Sequence, residues 1–219
     1  MKYRVSIDTG GTFTDAVIYS KKQTLTVGKS LTTPNRAYDG VKGAMKDAAL
    51  QLDISLEELL ANTEIFIYGT TRATNAIVTG TGAKTAFLTT EGFAHTLILK
   101  EGGKSKPHDF SKNFPKPYIP KNRTFEIIER ISSEGKISIP LDEKQATEII
   151  LHLGELGFEA IAVSFLWSIA NPIHELRIGN MIGKLLPKTP YSLGHKLTPI
   201  LREYRRASSV AIDASLKPL

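Results

Sequence analysis

Asp8-Thr9-Gly10-Gly11-Thr12-Phe13-Thr14-Asp15 is the stretch on which the reading of this chain turns. It lies between an alternating run from Tyr3 to Asp8, built on Tyr3, Val5 and Ile7, and the apolar stretch Ala16 to Tyr19, so it joins two short strands. Adjacent glycines let the backbone take conformations closed to other residues and bring its N–H groups close to an anion. The hydroxyls of Thr9, Thr12 and Thr14 add donors without bulk. A carboxylate at a strand end can hold Mg²⁺ directly or through water, and Asp8 is the better placed of the two. A hairpin whose glycines only turn the chain would need neither two carboxylates nor three threonines. No Gly-Lys-Ser/Thr follows and the loop enters a strand, which excludes both the Walker loop and the dinucleotide fingerprint.

A second polar cluster, Gly69-Thr70-Thr71-Arg72-Ala73-Thr74-Asn75-Ala76, stands between a strand and a helix start. Free backbone N–H groups and the helix dipole favour an anion or a substrate carbonyl there, although Thr70 or Thr71 alone could be a simple cap.

Working outward, Gln23 to Leu31 reads as a third strand. A helix follows: Thr33 can cap it, Pro34 suits its first position, and Ala37, Val41, Ala44, Met45 and Ala48 share a face that must pack on a sheet. The strand Ile65 to Tyr68, a helix from near Thr71 and the strand Thr85 to Thr89 are spaced as a parallel crossover. Periodicity disappears from Lys100 to Pro120, where Pro107, Pro115, Pro117 and Pro120 stand among lysines, so residues 100–123 are expected to form an extended loop on the substrate side. Phe125 to Ile131 and Lys136 to Ile139 flank Ser132-Ser133-Glu134-Gly135 as a hairpin would.

The last third is α/β again. Asp142 and Gln145 suggest a capping box, followed by an apolar helix face of Ala146, Ile149, Ile150 and Leu153 that ends at Gly154 or Gly157. Ala160 to Leu166 reads as a buried strand, and Asn171-Pro172 starts a helix with Ile178, Met181, Ile182 and Leu185 on one side. A short strand from Tyr191 to Gly194 and a helix from Pro199 to Ala214 complete the series. The expected division is one domain over 1–185 and the start of another over 186–219. Ala211, Ile212, Ala214 and Leu216 are still apolar at the end, which suggests part of a longer polypeptide or one subunit of a complex.

With 219 residues, 41% hydrophobic and 23% charged, the chain can bury a core without metals or disulfides. Having no cysteine, it has no disulfide framework, thiolate nucleophile or cysteine-ligated zinc or iron–sulfur cluster. The amino terminus carries charge where a signal peptide needs a continuous apolar run, and the apolar run Ala160 to Trp167 is too short to cross a bilayer. A cytoplasmic protein without membrane contact is expected. The net charge of +6 is spread over scattered residues with no aromatic-interleaved basic stripe, so it reads as solvated surface and not as a nucleic-acid interface. His95, His108, His152 and His174 lack mutual ligand spacing, which argues against a histidine metal site.

Beyond the two polar loops, Thr89-Thr90-Glu91-Gly92-Phe93, Pro140-Leu141-Asp142-Glu143, Ala160-Ile161-Ala162-Val163-Ser164-Phe165-Leu166, Asn171-Pro172-Ile173-His174-Glu175 and Arg202-Glu203-Tyr204-Arg205-Arg206-Ala207-Ser208 follow in order. This series resembles the amino-terminal region of the hydantoinase A and 5-oxoprolinase family over essentially the whole chain. The resemblance implies an α/β fold: an actin-like, sugar-kinase-like (ribonuclease H-like) ATPase lobe with a mixed sheet, followed by a further α/β segment. It implies ATP and Mg²⁺ as cofactors and a small cyclic amide as substrate, opened after phosphoryl transfer to its oxygen. Relatives that carboxylate acetone or acetophenone use similar ATP chemistry.

On this reading Asp8 and Asp15 are the catalytic carboxylates, Asp8 holding Mg²⁺ directly or through water and Asp15 orienting the loop or a water. Gly10, Gly11, Thr12, Phe13, Thr14, Gly69, Thr70, Thr71 and Asn75 line the nucleotide. Family members continue into a larger second domain, so a carboxy-terminal domain or second subunit is expected to close the cleft, within an oligomer. No ring opening is expected from this chain alone. Two positions depart from the pattern: Gly194-His195-Lys196 stands where relatives commonly read Ser-His-Glu, and Ile200 follows Pro199 in place of an acidic residue, which puts in question any acid–base or metal role attached to that glutamate and leaves the role of His195 open. The same loop also serves a nucleotide-binding interaction module without catalysis, or a small-molecule kinase.

Overall fold

A computed structural model describes residues 2–20, 25–33, 36–102, 104, 106 and 108–219. Gln23 in the expected third strand, Pro34 at the expected helix start, Pro107 in the expected loop and the side chain of Ala37 lie outside them. The chain divides into two compact units, Met1–Thr81 and Gly82–Leu219. The division falls inside the span 1–185 expected as one domain, and the segment 186–219 belongs to the second unit.

In the first unit, β1 (Tyr3–Thr9), β2 (Phe13–Ser20) and β3 (Leu25–Leu31) form an antiparallel meander, and β4 (Thr63–Thr70) adds parallel to β1, giving the order β3-β2-β1-β4. Period-two alternation sends Tyr3, Val5, Ile7, Ala16 and Ile18 to one face. There they meet Val41, Ala44, Met45 and Ala48 of α1 (Ala37–Gln51), the apolar stripe seen in the sequence, and Leu56 and Leu59 of α2 (Leu56–Ala61). A Cβ at Gly28 would lie 2.2 Å from the Ala44 carbonyl oxygen, so α1 rests directly on the β3 backbone at that point. Thr33 does not occupy the cap position, which falls at Arg36 without a side-chain cap; its hydroxyl instead accepts from the Gly40 amide inside the helix, at 3.2 Å.

α3 (Arg72–Thr79) follows β4, and Gly80 ends it in the left-handed conformation that L-residues avoid. β4 is apolar on both faces yet uncovered on both: Ile65, Phe66, Ile67 and Tyr68 are 42%, 48%, 58% and 48% exposed.

The second unit holds an all-parallel sheet in the order β10-β9-β5-β6, from β5 (Thr85–Thr90), β6 (Thr124–Ile127), β9 (Ala160–Ser164) and β10 (Tyr191–Leu193). Helices cover both faces, as parallel sheets require. On one, α5 (Glu143–Glu155) and α6 (Ile173–Leu185) pack on Ala86, Leu88, Ile161 and Val163. On the other, α8 (Glu203–Leu216) and Leu97 of α4 (Thr96–Leu99) pack on Phe87, Ala160 and Ala162. α7 (Gly194–Leu197) leads into α8, and β7 (Arg130–Ile131) pairs with β8 (Ile137–Ile139) as a small separate ribbon.

The mixed first sheet and the following α/β segment are those of the expected ATPase-lobe fold. Other expectations need correction. The segment β4-α3-β5 is not a crossover within one sheet: β4 pairs with β1, while β5 pairs with β6 and β9, because an apolar run specifies burial and not a partner. The run Phe125 to Ile131 is not one strand of a hairpin; it splits into β6, in the parallel sheet, and β7, in the ribbon. The last helix begins at Glu203, not near Pro199. Asp142 caps α5 by accepting the Gln145 amide at 3.0 Å, but Gln145 does not return the bond and takes the Ile128 amide instead. Among the described residues no helix is long and apolar enough to cross a membrane.

Candidate phosphate-binding site

The hairpin between β1 and β2 sets Asp8 opposite Asp15, and Asp15 opposite Lys29 of β3. These three therefore share the sheet face away from α1, in a row across three strands. Directly opposed side chains stand about 5 Å apart, and like charges so placed repel. Lys29 answers one of them, its Nζ lying 3.2 Å from an Asp15 carboxylate oxygen and 4.7 Å from the centre of the Phe13 ring. On its other flank Asp8 neighbours Gly69 of β4, which has no side chain to fill the space beside the carboxylate.

At the tip, the Gly10 amide donates to the Phe13 carbonyl at 2.9 Å, and the Thr12 carbonyl accepts the Thr32 amide at 2.9 Å. The amides of Gly11 and Thr12 have no partner among the described residues. A Cβ at Gly10 would come within 3.1 Å of the Phe13 carbonyl oxygen, and one at Gly11 within 3.1 Å of Asn75 Nδ2. Neither glycine has a positive φ, so the turn does not use a conformation closed to other residues as expected; what the glycines provide is room, tightest at Gly10, where the neighbour is backbone.

The second polar cluster meets the first. Thr9 pairs in register with Thr70, the Thr71 amide donates to the Thr9 carbonyl at 3.2 Å, and Asn75 comes up against Gly11. Thr70 and Thr71 are partly occupied with local structure: Thr70 Oγ1 accepts the Arg72 amide at 3.2 Å, and Thr71 Oγ1 accepts from Asn75 Nδ2 at 3.3 Å. The amides of Ala73 and Thr74 in the first turn of α3 remain without acceptors. Two pairs of free N–H groups, a carboxylate row and an exposed Thr12 hydroxyl thus converge at one end of β1 and β4, a donor set suited to a phosphate chain and its cation.

Thr14 is placed otherwise than expected. The pleat turns it to the α1 face, where it is buried and its hydroxyl shares a 3.0 Å hydrogen bond with Thr32, whose own hydroxyl bonds the Gly10 carbonyl at 3.0 Å. Thr14 therefore braces the loop from behind and does not present a donor to a ligand. Phe13 is exposed beneath Lys29. Among the described residues no group of three or more His, Cys, Asp or Glu is arranged to hold a metal, so a cation at Asp8 would take its remaining ligands from water and phosphate.

Sequence reasoning assigned no role to a buried polar network in the second unit. Glu129 Oε2 lies 2.7 Å from His174 Nδ1, and the Thr90 hydroxyl donates to Glu129 Oε1 while accepting the Leu166 amide at 3.0 Å. Glu175 accepts the Phe165 amide at 2.9 Å and, on its other oxygen, both the His195 amide at 2.9 Å and His195 Nδ1 at 2.6 Å. Burial raises the Glu129 pKa against the opposing pull of Thr90, His174 and Arg130, and burial lowers that of Arg206, which donates to the carbonyls of Ile200 and Leu201. The adjacency His174-Glu175 in the Asn171 to Glu175 motif was the signal available; its partners Glu129 and His195 are remote in sequence.

The hydantoinase/oxoprolinase N-terminal region model matches residues 4–186. The caprolactamase subunit alpha of Pseudomonas jessenii is 33% identical over 220 residues, covering 100% of this chain and 32% of that protein. The acetophenone carboxylase gamma subunit of Aromatoleum aromaticum is 30% identical, over 97% of this chain and 31% of its own. The crystal structure of ATP-dependent caprolactamase from Pseudomonas jessenii superposes with a TM-score of 0.84 at 33% identity, covering 99% of this chain and 32% of that one. The chain thus spans about a third of the length of these relatives. With this match over most of its length, the chain belongs to the hydantoinase/oxoprolinase N-terminal family.

Proposed function

We propose that this chain is the nucleotide-binding part of an ATP-dependent enzyme that opens a lactam or hydantoin ring after phosphoryl activation of the amide oxygen. The observation that carries the reading is the convergence of the unpartnered Gly11, Thr12, Ala73 and Thr74 amides beside Asp8. The family relation to a caprolactamase subunit supports the reaction class. An amide carbonyl is a poor electrophile, and bound Mg-ATP supplies the phosphoryl group that weakens its resonance and provides a leaving group.

The residues of the chain position and neutralise. Gly11 and Thr12 would hold phosphate oxygens through their amides, with Asn75 of α3 lying against Gly11. Asp8 holds the cation, directly or through water, and Asp15, drawn toward Lys29, orients the loop. A carboxy-terminal domain or partner subunit supplies the remaining wall of the cleft, so the chain alone binds nucleotide without opening a ring.

Titration calorimetry with Mg-ATP tests the first half. Asp8→Asn and Gly11→Val are expected to abolish binding while leaving the melting temperature within a few degrees, and unchanged affinity in both would sink the assignment. Turnover of caprolactam, 5-oxoproline, hydantoin and N-methylhydantoin, assayed with the downstream domain or partner, tests the second. A second reading, ATP-driven carboxylation of a ketone, is favoured by the acetophenone carboxylase relative. ATP hydrolysis that requires both bicarbonate and a ketone, with no response to any cyclic amide, would select it.

A further inference from the structure

In the second unit, the chain runs from β5 to β6 on one flank, then returns past β5 to β9 and on to β10. Right-handed crossovers travelling in opposite directions must lie on opposite faces. Leu97 and Ile119, from the β5-to-β6 connection, indeed pack on the α8 face, while α5 and α6 pack on the other. The strand order therefore reverses between β5 and β9, and in such sheets the carboxyl ends of the strands at that reversal leave an open crevice suited to a ligand.

A cleft of about 830 Å³ lies there, within the ~300–1,000 Å³ typical of ligand pockets. Its walls come from the segments that follow β5, β6 and β9 and from the start of α8. Phe93, Leu99, Leu166, Trp167 and Tyr204 supply the apolar half of its lining, and Lys100, Arg130, Arg202, Glu101 and Glu203 bring charge to the rest. Neither Arg130 nor Lys100 has an ion pair among the described residues; Glu101 is taken up by Arg202 and Arg205 and Glu129 by His174 and Thr90, while Glu203 lines the α8 side of the cleft. Arg130 is fixed over the Phe93 ring, its guanidinium carbon 5.0 Å from the ring centre, and one terminal nitrogen donates to the Glu91 carbonyl at 3.3 Å. Its Nε is buried without an acceptor among the described residues, and its other terminal nitrogen, Nη1, is neither buried nor bonded among them, which leaves that atom for a ligand.

The rim is also held in unusual backbone geometry. Trp167 and Lys100 have φ of 53° and 54°, values that side chains disfavour, and both line this cleft. Thr90, at the end of β5, bonds both Glu129, just after β6, and the Leu166 amide, just after β9. Aromatic and aliphatic walls beside a guanidinium with one terminal nitrogen still without an acceptor among the described residues suit a small organic carboxylate.

We propose that this cleft is a second ligand site, binding a small apolar monocarboxylate with its carboxylate on Arg130 and its chain against Phe93, Leu99, Trp167 and Tyr204. The site lies wholly within the second unit and does not depend on the phosphate hairpin.

Trp167 is the only tryptophan in the chain, so its emission reports the cleft directly. Hexanoate is expected to shift that emission saturably, and its neutral isostere hexanamide to bind at least about tenfold more weakly. Arg130→Gln should weaken hexanoate by about tenfold and Lys100→Gln, at the margin, by about threefold, each with an unchanged melting temperature. Sodium sulfate at equal ionic strength should not reproduce the shift. Equal affinity for hexanoate and hexanamide, no saturable response to hexanoate, a matching response to sulfate, or unchanged hexanoate affinity in a folded Arg130→Gln protein would each overturn the proposal. Should Arg130→Gln fail to fold, full hexanoate affinity in Lys100→Gln overturns it instead.

Discussion

Strand β4 of the first unit and strand β5 of the second are both apolar on two faces, but only β5 is covered on both. Every residue of β5 is buried, between α5 and α6 on one side and α8 on the other, whereas nearly all of β4 is exposed. A run such as Ile65-Phe66-Ile67-Tyr68 states what a strand is able to bury, not what it has buried or beside which strand it lies. The same apolar character therefore has different energetic weight in the two units. Leu88→Ala in β5 should cost about 2–5 kcal/mol, measured by denaturant unfolding, because it opens a cavity in a closed core. Ile67→Ala in β4 should stay within about 0.5 kcal/mol in this chain. Comparable losses at both positions would break the comparison.

A smaller effect sharpens it on the side of the first unit that is covered. Gly28→Ala places a methyl against the Ala44 carbonyl and the Ala48 amide of α1, backbone atoms that cannot yield without moving the helix, and should cost about 1–3 kcal/mol. Smaller again is Asp142→Ala, which removes the α5 cap and should lower stability by about 1 kcal/mol in the same assay.

The least change is expected from the buried acid of the second unit, and its sign follows from the shift. Glu129 is held above its ordinary 4.5 by burial, so the folded protein keeps a proton that the unfolded chain releases. Its contribution is complete below pH 4.5 and declines as the pH rises through the raised value. Glu129→Gln should flatten the dependence of Tm on pH above 4.5, and a profile of unchanged slope would remove Glu129 as the titrating group.

Where local chemistry dictates structure, the sequence was readable. The alternation of Tyr3, Val5 and Ile7, the α1 stripe, the Asp142 cap and the continuous run from Ala160 each name their own surroundings. The two polar loops were legible as candidates because glycine pairs, hydroxyls and carboxylates rarely coincide without cause, and the register of β1 with β4 brings them together. What sequence did not disclose is non-local. Nothing in Thr85 to Thr90 says that its neighbours are β6 and β9, and Thr14 looked like a donor until the pleat turned it toward Thr32. The cleft beside Trp167 draws on four separated segments, and Glu129 meets His174 across 45 positions, distances that no pattern of spacing spans.

The facing of Asp8 and Asp15 has one more consequence, for the assembly of the hairpin itself. Ile7 and Thr9 look toward α1 and Asp8 looks away, so moving β1 by a single residue would exchange them. That misalignment would press a charged carboxylate into the apolar layer under α1 and set Ile7 in water, a penalty on both counts. The acidic side chains proposed to receive a cation thus also proofread the strand that carries them, and a chain that has buried Tyr3, Val5 and Ile7 correctly has already aimed its carboxylates outward.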